Sequence, residues 1–90
     1  MPAHKHYWLL DTAKAFGMDI DQLVAYLGYS RGTIYSASNN HTTLASGRLA
    51  DAKFKMELLN EKLLKSERKK AEENYKNREK MIEYLFDRIG

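Results

Sequence analysis

The chain has no cysteine and one proline, Pro2. The missing cysteine excludes a disulfide framework and any thiolate metal site. It fits a reducing compartment, so a cytoplasmic protein is expected. Long apolar runs are missing too. No stretch approaches the roughly 18 residues that span a bilayer, so no membrane partner is expected. The opening MPAHKHYWLL lacks the apolar core and small-residue cleavage site of a signal peptide. Without export, the glycosylation pattern Asn40-His41-Thr42 has no role.

Catalytic signatures are equally scarce. There is no nucleophile motif, no phosphate-cradling glycine loop and no HExxH, so neither an enzyme nor a cofactor nor a small-molecule ligand is expected. Asp19 and Asp21 invite a reading as a paired acid site, but capping of a helix accounts for them. His4 and His6 flank Lys5, and no carboxylate or further histidine follows at ligand spacing, so no metal site is expected. Excess charge is modest, with a net +3 at pH 7 and a pI near 9.2. Residues 1–48 hold four cations against three carboxylates, and the remainder hold eleven against nine. That balance permits nucleic-acid binding without requiring it.

What is present is helical periodicity. Ninety residues make one small domain with room for an extra element, and a chain of this size often leans on a partner subunit. Over residues 4–16, Trp8 or Leu9 with Ala13 and Phe16 form one apolar stripe. Gly17 suits the left-handed close of that helix. Asp19 or Asp21 can cap a second helix, whose inward residues are Leu23, Val24 and Leu27. Gly28 breaks it, Tyr29 can plug the gap, and Ser30 is a good N-cap for a third helix. Ile34 and Ala37 then point inward.

The outward set of that third helix is short and polar. Arg31 can engage a guanine edge or a phosphate through two bonds. Thr33 and Ser36 can bond phosphates or bases, Gly32 and Ser36 let a backbone come close, and Tyr35 can stack or touch a thymine methyl. An exposed tyrosine among small polar residues just after a glycine turn is unusual for a surface that is merely solvated.

The pattern Leu23-Val24, Leu27-Gly28-Tyr29, Ser30-Arg31, Thr33-Ile34, Ala37 resembles the helix-turn-helix of phage Cro and repressor proteins and the wider Xre-like regulators. The resemblance covers about residues 7–60 at most, and Gly28, Tyr29 and Ile34 match its turn and packing positions. It implies a DNA-binding head with a recognition helix at about 30–38 in the major groove. It also implies that Ser30, Arg31, Gly32, Tyr35, Ser36 and Asn39 face the DNA, and that the following loop brings His41 near a phosphate. Thr33 joins this set from its own chemistry.

After the polar loop 38–43, where Thr42 or Thr43 can cap the next helix, the chain from Leu44 to Ile89 has no proline and only Gly47 as a glycine. Helix is expected throughout. One unbroken helix of that span would run roughly 65–70 Å. Leu49, Ala52, Met56, Leu59 and Leu63 step by three and four, as in a coiled-coil seam. Ala71, Tyr75, Arg78, Ile82, Leu85 and Ile89 form a second seam, one residue out of phase. A locally unwound coil through Glu67 would bridge the slip. Two arrangements fit. Either the helix is continuous and pairs with a second copy, or its polar middle bends and 75–89 fold back onto 49–64. The continuous form is preferred because no Gly, Pro or Asn-Gly marks a turn. Lys65, Arg68, Lys69 and Lys70 read as a solvated face balanced by Glu67, Glu72 and Glu73.

The expectation is therefore an all-α chain, with a helix-turn-helix head at 1–43 and a long helix at 44–90 forming a dimeric coiled coil. Its partners would be double-stranded DNA and a further copy of itself, as a homodimer or a higher homo-oligomer. Leu49, Ala52, Met56, Leu59, Leu63, Tyr75, Ile82, Leu85 and Ile89 would carry the pairing. The competing expectation is a helical adaptor or an oligomeric assembly protein, such as a small DNA-packaging subunit, that uses its coiled coil to bind another chain.

Overall fold

The computed structural model describes residues 7–90. They form five helices and no strand: α1 (Tyr7–Ala15), α2 (Ile20–Leu27), α3 (Arg31–Ser38), α4 (Ser46–Ser66) and α5 (Ala71–Ile89). The all-α expectation holds. The first helix was expected to begin at residue 4, and its first three positions lie outside the described residues, as do His4 and His6.

The three short helices end in the same way. After α1, Met18 N–H donates to the Ala13 carbonyl at 2.8 Å, with Gly17 at φ +72°. After α2, Tyr29 N–H donates to Val24 at 2.9 Å, with Gly28 at φ +87°. After α3, His41 N–H donates to Ser36 at 2.8 Å, with Asn40 at φ +61°. Each is a left-handed cap that satisfies carbonyls the helix leaves unpaired. Asparagine stands in for glycine at the third because its short polar side chain tolerates that region.

Helix starts are equally local. Asp19, not Asp21, caps α2. Its carboxylate accepts from Gln22 N–H at 2.8 Å, while Asp19 N–H donates to Gln22 Oε1 at 2.9 Å. That reciprocal pair satisfies two donors at once. Ser30 caps α3, accepting from Thr33 N–H at 3.2 Å. Neither Thr42 nor Thr43 caps α4, which starts at Ser46 after an uncapped Ala45. Leu44 packs against the core, and the chain beside it stays extended at Ala45, so the helix starts two residues later than expected.

The tail is the main correction. No continuous helix runs from 44 to 89. The chain leaves α4 at Glu67, in extended conformation, and re-enters helix after Lys70 at φ +54°. α5 runs back antiparallel along α4, so that Asn60 Nδ2 donates to the Tyr75 carbonyl at 3.1 Å. A polar lock sets this register. Arg78 is 3% exposed and forks onto both carboxylate oxygens of Glu67, at 2.6 and 3.1 Å. Its Nε donates to Asn60 Oδ1, and Asn74 Nδ2 donates to Glu67 Oε2 at 3.0 Å. A buried guanidinium is tolerated only when paired and hydrogen-bonded in this way. Glu67 therefore faces inward to Arg78 and does not balance the basic cluster around it.

α5 also closes the core. Ile82, Leu85, Phe86 and Ile89 join one apolar cluster with Trp8, Leu9, Ala13 and Phe16 of the N-terminal segment, with Leu23, Val24 and Leu27 of α2, and with Ile34 and Ala37 of α3. Thr12 is fully buried, and its hydroxyl donates to the Trp8 carbonyl one turn back at 2.7 Å. Of the residues expected to pair two copies, Ala52, Met56, Ile82, Leu85 and Ile89 are buried inside the single chain. Leu49, Leu59 and Leu63 pack partly against the same core, and Tyr75 is half-buried. Among the described residues, no helix is long and apolar enough to cross a membrane.

Candidate nucleic-acid interface

The candidate interface is built on α2, the turn at Gly28 and α3. Leu23, Val24 and Leu27 anchor one helix, and Ile34 and Ala37 anchor the other. The turn is clamped from outside. Arg48, near the start of α4, donates from Nη2 to the Gly28 carbonyl at 2.7 Å. Its guanidinium also lies 4.6 Å above the Tyr29 ring. A charged donor on a turn carbonyl and a cation over an adjacent aromatic hold the angle between α2 and α3. Lys55 repeats the device about two turns further along the same face of α4, donating to the Tyr26 carbonyl at 2.7 Å and lying 4.7 Å from the Tyr26 ring.

On the outer side of α3, Ser30, Arg31, Gly32, Asn39 and His41 are exposed, and Thr33, Tyr35 and Ser36 are half-buried. The eight expected contact residues therefore lie on α3 and its two ends. The Ser30 and Thr33 hydroxyls are 3.0 Å apart and share a hydrogen bond. Each keeps lone pairs for a further partner. Gly32 has open space where a Cβ would stand, so nothing within the described chain requires glycine there. Tyr35 is less free than expected, because its ring packs partly against the core. His41 serves the fold through its backbone, which closes α3, and leaves its ring outside.

Arg31 has a partner that the sequence reading did not identify. Its Nε donates to Asp21 Oδ1 at 2.6 Å, with both side chains largely in solvent. The guanidinium pKa is raised, first by the hydrogen bond to Asp21 and to a smaller degree by Tyr35. The signal was available in outline. With Asp19 spent as the α2 cap, Asp21 is left in the first turn as an anion near the positive end of α2. The ten-residue separation from Arg31 is bridged only because Gly28 folds the helices together. Arg48 was missed for the same reason, since its target is a carbonyl of the turn.

This surface offers hydroxyls, an amide, an imidazole and one guanidinium on a short helix whose first residues, Ser30 to Gly32, are exposed. Such a set can bond base edges and phosphates. Comparison with protein-family models, curated proteins and solved structures finds no match to this chain.

Proposed function

We propose that this chain binds double-stranded DNA with sequence preference, placing α3 in the major groove. One observation carries the reading. A rigidly clamped turn presents a helix whose outward residues, from Ser30 to Ser36, are small, polar or planar, with an arginine at its first position. Arg31 reads a base edge or sets register on a phosphate. Ser30 and Thr33 bond the backbone, Gly32 permits close approach, and His41 with Asn39 flanks the groove.

Pairing through residues 44–89 is not carried into this proposal, because Ala52, Met56, Ile82, Leu85 and Ile89 of the expected seam are buried in the chain's own core. A single five-helix unit suffices to position α3. The preferred DNA is then one short site. A palindrome with half-sites about 34 Å apart would instead mean that copies pair through some other face.

Binding of the intact chain to a duplex pool, with Arg31→Ala and His41→Ala beside it, tests the reading. Arg31→Ala should lose discrimination between sequences. His41→Ala should lower affinity evenly across them. Equal binding by all three proteins would remove α3 from the interface. A second reading, an adaptor that binds another protein, is favoured by the exposed Phe54 and Leu58 on α4, and it does not involve α3.

A further inference from the structure

The outer face of the α4–α5 hairpin holds an open groove of about 240 Å³, lined by residues of those two helices alone. Phe54 and Leu58 project from α4 one turn apart, 59% and 42% exposed, and Tyr75 faces them from α5 as part of the same lining. Apolar side chains of this size are left in water at a cost in free energy. The charged residues of the lining are Glu57, Glu61, Glu79 and Glu83, with no lysine or arginine among them. Tyr75 registers their field. Its phenol is held above its ordinary pKa, first by burial and then by Glu79, Glu61 and Glu57.

These two properties select the occupant. The apolar pair calls for apolar side chains, and the carboxylate rim calls for cations. The rim repels DNA and anionic lipid. It also opposes a second copy seated face to face, which would set carboxylates against carboxylates. We propose that this groove docks a basic amphipathic helix of a partner protein, whose apolar stripe meets Phe54 and Leu58 while flanking lysines or arginines meet the four glutamates.

The test is a titration of the isotopically labelled full chain with a synthetic helical peptide of about four turns, leucines on one face and lysines beside them. Amide shifts should gather on residues 54–61 and 75–83. Phe54→Ala with Leu58→Ala should weaken binding about tenfold. Glu57→Gln with Glu61→Gln should weaken it severalfold and flatten its salt dependence. All four side chains are exposed, so the variants should keep the parent's circular dichroism. The proposal is overturned if no saturable shift appears, or if the shifts fall elsewhere. Equal binding of a peptide with glutamates for lysines would overturn it too, as would unchanged affinity in the Phe54/Leu58 variant. A solution mass of two chains that falls to one on Phe54→Ala would give the groove to a second copy, and would equally overturn it.

Discussion

Arg31 Nε lies 2.6 Å from Asp21 Oδ1, so the guanidinium at the head of α3 is already engaged by a carboxylate from α2. On the proposed reading, DNA shares or displaces that carboxylate. Asp21→Asn removes the competing negative charge while keeping an acceptor oxygen. We expect tighter binding to duplexes of any sequence and a salt dependence steeper by about one unit. Titrations at several salt concentrations check this. Unchanged affinity together with an unchanged slope would place Arg31 and Asp21 away from the DNA.

Gly32 separates fold from function. Its Cβ position is open, so Gly32→Ala should leave the fold intact and stabilise α3 by up to about 1 kcal/mol. If a backbone or base edge must approach closely there, the same variant weakens DNA binding. Higher thermal stability together with lower affinity, measured on one preparation, is the expected pair. Unchanged affinity would place Gly32 outside the contact.

The tail is part of the head's core. Leu85 is fully buried, and Leu85→Ala should cost about 2–5 kcal/mol in denaturant unfolding. A chain ending at residue 66 loses Ile82, Leu85, Phe86 and Ile89 together and should not fold. A folded 1–66 fragment would restore the picture of an independent head with a separate tail.

Lys70 tests the hairpin directly. It sits at φ +54°, a region that costs a side-chain-bearing residue about 1–2 kcal/mol. Lys70→Gly should therefore stabilise the protein by about 0.5–1 kcal/mol. In one continuous helix the same change would destabilise it by about 1 kcal/mol. The sign of the shift in unfolding midpoint decides between them.

The polar lock carries a pH signature. Glu67 has its carboxyl pKa lowered, chiefly by the hydrogen bond from Arg78 and secondarily by that from Asn74. A carboxyl lowered on folding contributes stability that is present above its ordinary pKa and is lost as pH falls through the lower, folded value. The protection of amides at the start of α5, taken relative to their intrinsic exchange rate at each pH, should fall on acidification through that acid window. Glu67→Gln should exchange faster at neutral pH and lack the step.

Much of α1 to α3 was legible because its signals are local. Gly17, Gly28 and Ser30 take the roles their chemistry allows, and the apolar stripes at 8–16, 23–27 and 34–37 are the ones buried. The hairpin was legible only as the second of two arrangements, because its turn has no glycine or proline. Glu67, Arg78, Asn60 and Asn74 hold it, and they are far apart in the chain. The one-residue slip between the two apolar series was the visible trace of that turn. Arg78 in the second series was a further trace, since a charge at a seam position needs a partner. On the candidate interface, residue types were readable and their pairings were not. Arg31 with Asp21, and Arg48 with Gly28, exist only once the turn is closed.

The most direct test of DNA reading by α3 is selection of bound duplexes from a random pool at low and moderate salt, with the intact chain and with Arg31→Ala. The account predicts an enriched motif that survives the higher salt for the intact chain and is degraded for the variant, because base contacts discriminate where phosphate contacts do not. No enriched motif at either salt, or the same motif at the same strength without Arg31, would contradict it.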